Sequence, residues 1–353
     1  MKLRFFAFAL CALPAVADIT AGEPLFFSGE AKNSATAQLL RVPSESPLLA
    51  SSDRATVFEA GRDFVWQAGS RLITLTADSR IPFTTPAQLH PAPNSPNSYK
   101  SFRGSENWMF YGPGGVMHRL QCAATYASDD VWRVPATAPA PDAQLGALRE
   151  KLRAKSPVKI VMLGDSISTG ADATAIAKIA PNQPGYPDLV AAGIESRFGG
   201  KATLVNLSKG GMDSKWGLTR VQDVIAEKPD VLLLAFGMND ASGRRSPDEF
   251  ATITRGIFEP VRAALPGCSV ILISSMTANS EWVHSAPETY PRYAGALATL
   301  TGPGVAFADV TKTWTAIEAR KKHMDLSGNG LNHPNDYGHR IYADVILAVI
   351  GEK

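Results

Sequence analysis

The chain has 353 residues, 45% hydrophobic and 19% charged, with 35 Lys and Arg against 33 Asp and Glu. That balance excludes a disordered tail and a nucleic-acid binder, which carries a basic excess to meet phosphates. Three cysteines exclude a disulfide scaffold and a multi-cysteine zinc module, and the length allows roughly two domains of ordinary size.

Residues 1–17 read as a secretory signal. Lys2 and Arg4 supply the basic start, and Ala15-Val16-Ala17 is a small-x-small cleavage site. The apolar stretch Phe5 to Leu13 is too short to span a bilayer of about 30 Å as a helix. Removing Lys2 and Arg4 leaves basic and acidic side chains equal in number, so a basic membrane-surface role has no footing. No later stretch is long and apolar enough to insert in a membrane, and export to periplasm or medium is expected. Cys11 leaves with the signal. Cys122 and Cys268 are read as buried free thiols in different domains rather than as a bonded pair.

Residues 18–134 have the character of a β-rich accessory domain, a sandwich or jelly roll. Thr56–Glu59, Asp63–Gln67, Arg71–Leu75, Trp108–Tyr111 and Leu120–Tyr126 are short runs of strand type, with Gly61 and Gly69 at turns. Between the third and fourth, Pro86 to Gly104 reads as a long loop. Residues 135–156 are a stiff Pro/Ala linker and a connecting helix, with Leu145, Leu148 and Leu152 on one face. From 157 to 353 the rhythm changes. Lys159–Leu163, Thr203–Leu207, Val231–Phe236, Val270–Ser274 and Val305–Val310 are near-continuous apolar runs, each followed by a segment that can be helical. Buried parallel strands look like this, so an α/β, three-layer domain around a five-stranded parallel sheet is expected, with ligands at the carboxyl ends of its strands.

Four of those ends carry chemistry. The first is Gly164-Asp165-Ser166, a serine leaving a strand at the start of a helix, where Asp165 or Ser166 could equally serve as a cap. The second is Ser208-Lys209-Gly210-Gly211, where glycine lets backbone approach a ligand. The third is Gly237-Met238-Asn239-Asp240, whose asparagine amide can donate to a developing oxyanion. The last is His333-Pro334-Asn335, where Pro334 keeps the histidine on a loop ahead of a final helix ending near Ile350. A metal site from His333, Asp336 and His339 matches no zinc spacing.

Serine, glycine, asparagine and histidine in this order at four loop ends resemble the SGNH hydrolases, or GDSL esterase superfamily, over residues 158–353. The resemblance implies a flavodoxin-like catalytic domain with Ser166 as nucleophile. It implies the Ser166 and Gly211 N–H groups with Asn239 as oxyanion hole, His333 as base, and no metal or organic cofactor. The family places Asp three residues before the histidine. Here that position is Gly330, preceded by Asn329. Asp325 reaches in, or a carbonyl holds the imidazole, or the chain is slow or inactive as an esterase. If the acid is missing, Asn329→Asp or Gly330→Asp should raise hydrolysis.

The first part also looks like the β-domain that precedes some exported SGNH enzymes acting on acetylated polysaccharides, through Arg62-Asp63-Phe64 and Ser79-Arg80-Ile81-Pro82. An acylated oligo- or polysaccharide is therefore the expected partner, with Asp165, Trp282 and His284 as candidate substrate contacts. An O-acetyltransferase using the same serine, or a glycan-binding protein on a disabled hydrolase scaffold, are the alternatives. Oligomeric state is left open.

Overall fold

A computed structural model describes residues 18–100 and 102–351; the expected signal segment, 1–17, lies outside the described residues. Among the described residues, the first part contains nine strands: β1 Asp18–Phe26, β2 Thr36–Gln38, β3 Leu48–Ser51, β4 Val57–Phe58, β5 Phe64–Trp66, β6 Leu72–Leu75, β7 Ser98–Tyr99, β8 Met109–Phe110 and β9 Gln121–Ser128. Two short helices join them, α1 Pro86–Leu89 and α2 Val116–Arg119. One antiparallel sheet runs β1-β9-β3-β4 and a second runs β2-β6-β5, with β7 and β8 paired apart. Alternation decides which side chains go inward. In β5, Phe64 is buried and Val65 exposed; in β6, Ile73 and Leu75 are buried and Leu72 exposed. They meet Leu25, Leu49, Cys122 and Tyr126 of the other sheet in one core. The Pro86 to Gly104 stretch, expected as loop, holds α1 and β7. The residues 62–64 and 79–82 that suggested an exported β-domain hold an ion pair between an exposed Arg80 and a buried Asp63. Asp63 is fully buried and accepts from Arg80 Nη2 at 2.6 Å and Nε at 3.0 Å. The guanidinium holds the Asp63 carboxyl far below its usual range.

The connecting helix is α3 Asp142–Arg153, which buries Leu145, Leu148 and Leu152. Beyond it lie β10 Val158–Gly164, β11 Ala202–Asn206, β12 Val231–Ala235, β13 Ser269–Ile273 and β14 Val305–Ala308, all parallel, in the order β11-β10-β12-β13-β14. This is the expected five-stranded sheet. β12 and β13 are buried at every position because helices cover both faces, whereas the edge strand β11 is half exposed. The helices are α4 Thr174–Ala177, α5 Tyr186–Phe198, α6 Ser214–Leu218, α7 Val221–Glu227, α8 Met238–Ser242, α9 Pro247–Ala264, α10 Thr289–Ala298, α11 Val310–Glu318, α12 His323–Leu326 and α13 Asp336–Ile350. α5 packs on α13; α9 packs on α6, α7 and α10. Each fully buried Leu, Ile or Val of this sheet contributes about 1.5–3 kcal/mol.

The two parts join through polar groups. Lys321 and Glu23, both fully buried, pair at 2.7 Å, and Tyr126 donates to Glu23 at 2.6 Å. Gln121 donates to the carbonyls of Met324 and Ser327 and accepts from Asn335. Cys122 and Cys268 are buried free thiols. No helix of the described residues is long and apolar enough to cross a membrane.

Candidate active site

The strand order reverses between β10 and β12, which opens a crevice at their carboxyl ends. Ser166 follows β10, Gly211 follows β11 and Asn239 follows β12. His333 comes from the loop between α12 and α13, where Asn335 caps α13 by accepting from the Gly338 N–H at 3.0 Å. Ser166 Oγ lies 2.9 Å from His333 Nε2, and His333 Nδ1 lies 2.7 Å from Asp172 Oδ2. Asp172 accepts only, so Nδ1 carries the proton and Nε2 is left to accept from the serine hydroxyl.

Asp172 is the residue that motif reading misses. It sits on the loop that leaves Ser166 and turns back, with the left-handed φ of +61° that few side chains other than Asn and Asp tolerate. Several bonds hold that loop. Ala171 N–H donates to the Ser166 carbonyl, His339 Nε2 donates to the Ala171 carbonyl at 3.1 Å, and Gly114 N–H donates to Asp172 Oδ1 at 2.9 Å. The only sequence signal is a lone carboxylate in the loop after the nucleophile, and no spacing rule picks it out.

Asp325, expected near His333, is elsewhere. Its Oδ1 accepts from Phe26 N–H at 2.7 Å and its Oδ2 from Lys322 N–H at 2.9 Å. It therefore fastens α12 to β1 between the two parts, and burial pushes its pKa up. Asn329 and Gly330 also have other work. Asn329 Oδ1 accepts from the N–H groups of Leu331, Asn332 and His333 at 2.8, 3.1 and 3.3 Å, which shapes the loop that presents the imidazole. Gly330 has φ +89°, and a Cβ there would stand 3.0 Å from the Phe110 carbonyl.

At the oxyanion side, Gly210 lies against Ser166, a Cβ on it falling 3.7 Å from Ser166 Cβ. Gly211 has φ +77° and open space before it. Among the described residues neither the Ser166 nor the Gly211 N–H has an acceptor. Asn239 Nδ2 spends one N–H on the Met212 carbonyl at 2.8 Å and keeps its second. Asp240, beside it, is buried and accepts from Ser214 N–H, Ser214 Oγ and Arg245 Nε, tying the β12 loop to α6.

Two of the expected substrate contacts are corrected. Asp165 is buried at 3% exposure and accepts from Ile167 N–H at 2.9 Å, so it braces the turn under Ser166 instead of facing solvent. Burial pushes its pKa up to about 7. Trp282 is 8% exposed, its ring edge-on to His284 at 5.2 Å, so it packs the loop after β13 and offers no face to a sugar. His284 is exposed, but no bond ties it to Ser166 or His333. The His333, Asp336, His339 trio disperses: Asp336 binds Thr174 through its N–H and hydroxyl, and His339 is buried between Tyr186 N–H and the Ala171 carbonyl.

Solved structures with a similar fold include a two-domain esterase, CEX, active on acetylated mannans, at 21% identity and a TM-score of 0.48 over 61% of this chain and 54% of that one. The chain thus matches about half the length of that esterase. The acetyl xylan esterase Axe2 from Geobacillus stearothermophilus matches at 19% identity and a TM-score of 0.45 over 56% of this chain and 95% of that one. The lipase Lip_vut3 from a goat rumen metagenome matches at 16% identity and 0.43, over 54% and 97%. A search of curated proteins finds no sequence match. The model of the GDSL-like lipase/acylhydrolase family matches residues 162–341, just over half of the sequence and every strand end described above, and the chain belongs to that family.

Proposed function

We propose that this chain is an exported serine ester hydrolase that removes short acyl groups, acetyl foremost, from carbohydrate. The observation that carries the reading is the line Ser166 Oγ, His333, Asp172, at 2.9 and 2.7 Å. In the first half-reaction Ser166 Oγ attacks the ester carbonyl carbon while His333 Nε2 takes the hydroxyl proton. The negative charge that develops on the carbonyl oxygen meets the free N–H groups of Ser166 and Gly211 and the second N–H of Asn239. Each such donor is worth roughly two to three orders of magnitude in rate. His333 returns the proton to the departing sugar oxygen as the C–O bond breaks, leaving acyl-Ser166. Water then repeats the sequence, giving its proton to His333, and the acid leaves. Asp172 supports the imidazolium in both halves.

Ser166 is half-buried and Gly211 exposed, so the crevice opens to solvent, which suits an ester whose alcohol side is a bulky carbohydrate. The non-catalytic alternative drew on a missing acid, and Asp172 removes that ground. Wild-type protein should release acetate from acetylated polysaccharide and cleave p-nitrophenyl acetate far faster than the octanoate, with both activities lost in Ser166→Ala. Activity undiminished in Ser166→Ala, or a preference for the long chain, would count against it.

A further inference from the structure

The N-terminal β-domain reaches into this site through the stretch between β8 and β9. Gly112 N–H donates to the Asn329 carbonyl at 2.9 Å, beside the loop that presents His333. Gly114 N–H donates to Asp172 Oδ1 at 2.9 Å. His118, on α2 and 4% exposed, has Nε2 2.7 Å from the Asp172 carbonyl oxygen; a carbonyl only accepts, so Nε2 carries the proton. Tyr111 stands near the same carboxylate, and its hydroxyl is pushed up by burial and then by the Asp172 charge. Asp172 is thus gripped twice from the other domain. One bond holds its main chain in the left-handed conformation and one holds the oxygen that His333 does not use. A carboxylate turns about a broad two-fold torsion, so an Asp172 gripped only by His333 would lose its in-plane alignment with the imidazole.

We propose that His118 and the Gly114 N–H are positioning groups for the triad acid, and that the β-domain thereby completes the active site rather than only carrying it. The inference rests on the Ser166–His333–Asp172 reading. Neither group touches substrate; both act through Asp172. An accessory domain of independent purpose would leave the acid to its own domain, whereas here, among the described residues, two of the three hydrogen bonds to Asp172 oxygens come from residues 114 and 118.

The test compares His118→Leu, which fills the space without a donor, with His118→Gln, which retains one. Both are made in the full chain and again on an Asp172→Asn background, with folding checked by melting temperature. Should His118→Leu not fold, His118→Asn, polar but too short to reach, takes its place. With p-nitrophenyl acetate, the donor-less variant should lose about tenfold to a hundredfold in kcat, a misplacement of 1 Å costing up to about a hundredfold, with KM little changed. His118→Gln should recover most of the rate, and on the Asp172→Asn background the donor-less change should cost nothing further. A folded donor-less variant with wild-type kcat, or the same fractional loss on both backgrounds, would overturn the proposal. Asp172→Asn as active as wild type would instead bring down the relay reading, and this inference with it.

Discussion

The carboxylate that meets His333 Nδ1 belongs to Asp172, a residue no motif spacing marks, while the position where spacing looks for an acid carries none. The family position for the acid holds Gly330, at φ +89° with its Cβ direction blocked by the Phe110 carbonyl, and Asn329 is spent on three N–H groups. Adding a carboxylate at either place therefore adds no second acid. Asn329→Asp buries a charge and sets it against Asn332 Oδ1, which now accepts from Asn329 Nδ2 at 3.2 Å. Each variant should hydrolyse p-nitrophenyl acetate no faster than wild type and lose about 1–3 kcal/mol of stability, the cost of an unmatched buried polar group. A rate gain in either would restore the missing-acid view. Asp172→Asn should cost roughly three to four orders of magnitude in kcat, as loss of the acid does in serine proteases by favouring the wrong imidazole tautomer. Steady-state kinetics of the folded variant checks it, and a loss under about tenfold would show that His333 needs no carboxylate.

The strands of the parallel sheet are legible because burial on both faces writes each as an unbroken apolar run. Val231–Ala235 and Ser269–Ile273 differ from their expected bounds by a residue at the ends. Ser166, Gly211, Asn239 and His333 can be singled out for the same reason: they stand where runs stop or a proline breaks a helix. β1 is not legible, since its first five positions are mostly exposed and only the last four buried, without alternation. Nor is the Asp172 contact, which joins residues 161 apart through a loop with no periodicity. That loop makes stability depend on acid through His339. Buried between the Tyr186 N–H and the Ala171 carbonyl, His339 is held neutral, with its pKa lowered from 6.5 to about 4. The unfolded chain takes up this proton first. The stabilisation is therefore whole above about pH 6.5 and drains away as pH falls towards about 4, by about 3 kcal/mol in all. Urea midpoints across that window should fall, and His339→Gln should flatten the dependence. An equal slope in the variant would remove His339 as the cause.

Across the whole molecule, the two parts are fastened by buried charge, not by apolar surface alone. Lys321 bonds Glu23 and the carbonyls of Pro24 and Gln38, with Asp325 at 3.8 Å. Lys321→Met strands the Glu23 carboxylate in the interior and should destabilise the protein by about 3–5 kcal/mol. Urea denaturation measures it, and an unchanged midpoint would mean that the pair only replaces its lost hydration. Because the same interface carries the Gly114 and His118 bonds to Asp172, loosening it should lower kcat before the fold is lost.

The most direct measurement of the central claim is covalent. A fluorophosphonate should label the folded wild-type protein at one residue, Ser166, located by peptide mass spectrometry, and far more slowly in Asp172→Asn. An adduct elsewhere, or no adduct on well-folded protein, would contradict the proposed serine relay.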